Sequence, residues 1–138
     1  MKRLEIFVDG ASRGNPGPAG YGVCIIKEDG DGYLEFSEYL GHATNSVAEY
    51  EALVRGLKEA KKMGAEVLDI FTDSQLVARQ FAGLYKVKHE GLKEIMARVR
   101  ELEQNFKRVS VTHIMRSSHP ANKRADRLAN IALNKAGK

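Results

Sequence analysis

Residues 2–22 read KRLEIFVDGASRGNPGPAGYG. Leu4, Ile6 and Val8 alternate with Glu5, Phe7 and Asp9, which predicts a strand over residues 3–9. The apolar run then stops at a negative charge and gives way to glycines and prolines. Gly14, Asn15, Pro16, Gly17 and Pro18 are explained by turn chemistry alone. Asp9 is not. It either accepts hydrogen bonds from the backbone of its own turn or carries a charge kept for something else. Acids in comparable places elsewhere decide between the two.

Working outward, Tyr21 to Lys27 reads as a second strand, Glu28 to Gly32 as a hairpin turn, and Tyr33 to Gly41 as a third strand. Together they predict an antiparallel meander. Asn45 or Ser46 is expected to cap a helix running to about Met63, ended by Gly64. Val67 to Thr72 predicts a fourth strand and Ser74 to Phe81 a short helix. Leu92, Ile95, Met96, Val99 and Leu102 have helical spacing within residues 92–104. Arg108 to Met115 predicts a fifth strand, and a last helix is expected from about Asn122 to Ala136. The order is βββαβααβα. A right-handed crossover through the 46–63 helix places strand four parallel to strand one. The fold class is therefore α/β, with one mixed sheet covered by helices on both faces.

The chain has 138 residues, 43% hydrophobic and 29% charged, which suits one globular domain with a real core. We expect a single domain over residues 1–136, with 137–138 a disordered tail and fraying from about Asn134. No apolar stretch approaches a membrane span, and no signal peptide is visible. The one cysteine, Cys24, lies in an apolar run and reads as a buried small hydrophobe, so a cytoplasmic setting is expected. A net charge of +4 permits a nucleic-acid partner without demanding one.

Three further acids stand out. The 46–63 helix has an apolar stripe of Ala52, Leu53, Gly56, Leu57 and Ala60, and counting back along it reaches Glu49. A glutamate on the core face is costly unless a partner neutralises it, although an acid near a helix N-terminus is also a good capping residue. Asp73 ends strand four as Asp9 ends strand one, at the edge where open α/β sheets bind ligands; it is also placed to cap the following helix. Asp126 borders the stripe formed by Ala125, Leu128, Ala129, Ala132 and Ala136. Converging carboxylates repel one another without a cation. Mg²⁺ or Mn²⁺ suits such oxygen donors. Two such ions about 4 Å apart would activate water and stabilise a leaving oxygen in phosphodiester cleavage.

The segments VDGASRGNPGPAGYG, TNSVAEYEAL, TDSQLV and NKRADRLAN occur in this order, each delivering one acid. On them the chain resembles type 1 ribonuclease H over essentially its whole length, in the bacterial or archaeal single-domain form. The resemblance implies a five-stranded mixed sheet, strands one to three antiparallel and strands one, four and five parallel, with helices on both faces. It implies an endonuclease that cuts the RNA strand of an RNA–DNA hybrid with two Mg²⁺ ions, leaving 5′-phosphate and 3′-hydroxyl ends; a monomer is expected. Asp9, Glu49, Asp73 and Asp126 match the metal-binding catalytic acids. Gly10, Asn15, Thr44, Asn45, Ser46 and Gln75 match positions near the substrate. A same-fold DNA-cleaving nuclease and a non-catalytic hybrid-binding module are the alternatives.

The chain departs from the best-known bacterial pattern twice. Where that pattern has a loop histidine ahead of the last aspartate, thought to assist product release, this sequence has Arg116; His119 matches a different position. After the Asp73 helix some relatives carry a basic, tryptophan-bearing excursion, whereas this sequence has GLYKVKHEGLK and no Trp. Lys86, Lys88 and Lys93 remain as candidate phosphate contacts. His42, His89, His113, His119 and Cys24 lack zinc-site spacing, and the Gly-rich loop lacks the ending of a phosphate-binding P-loop.

Overall fold

The structure is a computed structural model that describes residues 2–27 and 30–138. The elements are β1 (Arg3–Ser12), β2 (Gly17–Ile26), β3 (Tyr33–Ala43), α1 (Asn45–Lys62), β4 (Val67–Thr72), α2 (Gln75–Phe81), α3 (Glu90–Glu103), β5 (Arg108–His113) and α4 (Pro120–Lys135). This is the expected order. The sheet runs β3-β2-β1-β4-β5. β1–β2 and β2–β3 pair antiparallel, and β1–β4 and β4–β5 pair parallel.

Several boundaries differ from expectation, each for a local reason. β1 does not stop at Asp9. Its pairing with β2 continues to Ser12↔Ala19, so the Gly/Pro loop shrinks to residues 13–16. What does stop there is the parallel ladder with β4, whose last pair is Val8↔Thr72. α1 is capped by Thr44 rather than Asn45 or Ser46; its hydroxyl accepts from Val47 N–H at 3.1 Å. Ser74, not Asp73, caps α2. β5 ends at His113, and α4 begins two residues earlier than expected, with His119 as cap and Pro120 in the first turn, where a missing N–H costs nothing. α4 extends to Lys135. The turn expected over residues 28–32 lies partly outside the described residues.

Alternation along β1 sends its side chains to two cores. Leu4, Ile6 and Val8 join Val23, Ile25, Leu53, Leu57, Leu68 and Ile70 beneath α1 and α3. Phe7 joins Cys24, Ala121, Ala125 and Leu128 beneath α4. The second core is thin because α4 lies almost on the strand: a Cβ on Gly22 would sit 2.1 Å from the Ala125 carbonyl oxygen. Gly10 does the same on the other face, where a Cβ would lie 2.5 Å from Ala48 C and Glu49 N. This close approach brings the first turn of α1 down onto the strand that carries Asp9.

Candidate metal centre

Because the parallel ladder ends at Val8↔Thr72, the next residues, Asp9 and Asp73, leave neighbouring strands side by side. Glu49 comes from the buried face of α1. Asp9, Glu49 and Asp73 each offer an oxygen within 4.8 Å of the others. Asp126 descends from α4 on the opposite side of the sheet and lines the same cavity, of about 460 Å³, with Gly10, Asn45, Ser46, Ser74 and Arg116. It falls outside the tightest triplet, yet its carboxyl interacts with both Asp9 and Glu49.

Asp9 and Glu49 are only 3% and 8% exposed, so neither charge is relieved by water. Asp9 does accept from the N–H of Gly10, at 2.9 Å, so the backbone-turn role open in the sequence is real. It does not balance the charge. Burial first, then the Glu49 and Asp73 carboxylates, drive the Asp9 pKa far above the usual carboxylate range. Burial also raises Glu49, against the hydrogen bond it shares with Asp9. With nothing added, the pair therefore holds at least one proton at neutral pH.

Glu49 Oε2 is buried and without a hydrogen-bond partner among the described residues. Such an orphan is costly in a fold. A hard divalent cation fits the donor set: three close carboxylates with a fourth at the rim, all oxygen, in a cavity open to water. A cation lining the cavity is Arg116, whose Nη2 donates to Asp126 Oδ1 at 3.3 Å from a side chain 73% exposed.

The expected substrate positions divide. Gly10, Asn45 and Ser46 line the cavity. Asn15 does not, but its Oδ1 accepts from Asn45 N–H at 3.0 Å and ties the loop to the start of α1. Thr44 spends its hydroxyl on the cap, and Gln75 is exposed at the start of α2, beside the lining residue Ser74. Lys93 pairs with Glu90 at 3.1 Å. His119 stacks on Phe7, with ring centroids 4.5 Å apart, while capping α4.

Asn122 escaped the sequence reading. It is 1% exposed, donates to Asp73 Oδ2 at 3.4 Å and accepts the Ser117 N–H at 2.6 Å. It thereby joins the 116–118 loop to Asp73. Its position three residues before Ala125, on the buried stripe, was the available signal.

A family profile described as reverse transcriptase-like matches residues 7–132. A Mycobacterium tuberculosis protein named as bifunctional is 42% identical over 135 residues, and this chain spans 36% of its length. The N-terminal RNase H domain of that organism's protein, solved as a maltose-binding-protein fusion, superimposes with a TM-score of 0.91 at 40% identity, covering 99% of this chain and 97% of that one. Ribonuclease HI of Halobacterium salinarum is 41% identical over 97% of this chain and 66% of its own. LC11-RNase H1, solved in complex with an RNA/DNA hybrid, has a TM-score of 0.89 at 41% identity over 98% of this chain and 99% of that one.

Proposed function

Because the chain belongs to the type 1 ribonuclease H family, we propose that it is a metal-dependent endonuclease hydrolysing the RNA strand of RNA–DNA hybrids. The observation that carries this reading is the carboxylate triplet, with Asp9 and Glu49 buried, Asp73 half-buried and one Glu49 oxygen orphaned. Asp9, Glu49, Asp73 and Asp126 hold the cations, Mg²⁺ or Mn²⁺, in this account. A pair of such ions held by these residues would supply Lewis acidity for water attack and charge stabilisation for the departing oxygen, consistent with 5′-phosphate and 3′-hydroxyl ends.

The protein's own groups do the rest. Asn122 holds the Asp73 carboxylate in orientation. Asn45 and Ser46, at the start of α1, present the positive end of the helix and short polar side chains to the substrate backbone. Gly10 lines the cavity, and its missing Cβ lets the start of α1 close onto β1 beside the substrate. Asn15 fixes Asn45, and Thr44 fixes the helix end on which both depend. Gln75 extends the contact surface beyond Ser74. Arg116 occupies Asp126 at rest and exchanges that partner for phosphate during turnover. Telling RNA from DNA requires sensing the 2′-hydroxyl and the hybrid's shape.

In this account residues 1–136 form one domain that acts as a monomer. A cytoplasmic setting is supported by Cys24, which is buried and free. Among the described residues no helix is long and apolar enough to cross a membrane.

The test is a substrate panel of labelled hybrid, duplex DNA and duplex RNA, each incubated with Mg²⁺ and with Mn²⁺. Scission of only the RNA strand of the hybrid is expected. Preferential cutting of duplex DNA would reassign the substrate, and hybrid binding without cutting in either metal would make the protein a binding module.

A further inference from the structure

Arg13 sits in the loop between β1 and β2, directly after Ser12, which lines the carboxylate cavity. Its backbone is pinned by an N–H bond to the Pro18 carbonyl at 2.8 Å. Its side chain crosses to α4, where Nη2 donates to Asn134 Oδ1 at 2.8 Å and Asn130 Oδ1 at 3.4 Å. Asn130 also lines the cavity and donates through Nδ2 to the Asp126 carbonyl at 3.0 Å. The guanidinium is thereby fixed relative to the turn of helix that carries Asp126.

The chemistry of these partners is the telling feature. Carboxamide oxygens orient a guanidinium but cannot neutralise it. Among the described residues six arginines form ion pairs with carboxylates, as Arg3 does with Asp69, Arg55 with Glu59, Arg116 with Asp126 and Arg124 with Glu35, whereas Arg13, Arg79, Arg108 and Arg127 do not; of these four, Arg13 is the one bonded to a side chain that lines the cavity. Arg13 has no carboxylate partner among the described residues. Two bonds from one nitrogen leave most of its five N–H donors unused. A full positive charge is thus held, exposed and oriented, at the margin of a cavity lined with acids. Such a geometry suits an anion that must enter a negative pocket, and guanidinium suits phosphate.

We propose that Arg13 is a substrate-binding residue that grips a phosphate of the cleaved RNA strand, next to the one cut, and that Asn130 and Asn134 are its positioning residues. This rests on the hybrid-cleaving reading given above. The strand assignment follows from Asn130, which belongs both to the cavity and to the arginine's clamp.

The test compares wild type, Arg13→Ala, Arg13→Lys and Asn134→Ala on a short RNA–DNA hybrid. Arg13→Ala should raise KM about three- to tenfold at nearly unchanged kcat, and should flatten the slope of log KM against log salt by about 0.7–0.9, the loss of one phosphate contact. Arg13→Lys should keep the salt slope. Asn134→Ala should raise KM less than Arg13→Ala and also keep the slope, because the charge remains while its orientation is lost. A neutral methylphosphonate placed in turn at each RNA phosphate beside the cut should weaken wild type at one position and leave Arg13→Ala indifferent there.

Wild-type cleavage with an Arg13→Ala variant of unchanged KM and salt slope would overturn the Arg13 assignment alone. Methylphosphonate sensitivity that is the same in wild type and Arg13→Ala at every RNA position would overturn it as well. A wild type that neither binds nor cuts the hybrid would overturn the hybrid-cleaving reading and this inference together.

Discussion

Helix α1 carries polar groups into two clusters, and they are built on opposite principles. In its middle, Arg55 Nε donates to Glu59 Oε2 at 2.8 Å and Nη1 to Tyr21 Oη at 3.1 Å. Tyr21 in turn donates to Glu38 at 2.5 Å, and the guanidinium lies over the Phe36 ring, 4.8 Å from its centre. Burial, and then the bond to Glu38, push the Tyr21 hydroxyl up to about 12, so it stays a donor. Every charge there has an opposite partner. One turn in from its N-terminus, Glu49 instead faces Asp9 and Asp73, with one carboxylate oxygen left bare. The first arrangement is what a fold does with charges it merely tolerates. The second is unbalanced by the chain itself, and the imbalance points to a cation supplied from outside.

The sharpest way to break the contrast is Asp9→Asn. Hybrid cleavage should fall by about a thousandfold or more, since several kcal/mol of transition-state stabilisation depend on the held ions. The thermal midpoint of the metal-free protein should stay level or rise, because a repulsion has been removed. A variant that loses activity and unfolds would make Asp9 structural instead. Gly10→Ala comes next. Its Cβ meets the backbone of Ala48 and Glu49 and must push α1 away; a displacement of about 1 Å predicts roughly a hundredfold loss of activity. A crystal structure should then show Glu49 withdrawn from Asp9.

Mg²⁺ should stabilise wild type by about 2.7 kcal/mol at a hundredfold excess over its dissociation constant, and Asp9→Asn by much less. The pH dependence sharpens the same point. Asp9 and Glu49 are both raised in the fold. Their stabilising contribution is therefore complete below the ordinary carboxylate range and lost as pH climbs through the raised values. Between about pH 5 and pH 9 the metal-free wild type should lose stability relative to Asp9→Asn, and Mg²⁺ should close the gap. The smallest effect belongs to the balanced cluster. Arg55→Met should cost about 1–2 kcal/mol of stability, given partly exposed pairs and one cation–π contact, with kcat on the hybrid unchanged.

The two clusters were not equally legible in the sequence. Alternation in β1 and helical spacing in α1 located Asp9 and Glu49, because a charge on an apolar face is visible as a break in a pattern. Element order was legible for the same reason. The ends of elements were not. Thr44, Asn45 and Ser46 are all good caps, and the end of β3 at Ala43 selects the first of them. β1 runs past Asp9 only because β2 is there to pair with it, a tertiary fact. The balanced cluster draws on Tyr21, Glu38, Arg55 and Glu59, each of which reads alone as an ordinary surface or strand residue. Arg13 was likewise unmarked, since its meaning comes from amides more than a hundred residues away in sequence.

The most direct measurement of the central claim is RNA-strand cleavage of a labelled hybrid by wild-type protein in Mg²⁺ and in excess EDTA, with restoration by Mg²⁺ added back. Cuts that appear with the ion, vanish under chelation and return on replenishment are the expected result. Equal scission under chelation would mean the buried acids perform the chemistry unaided, and would contradict the account.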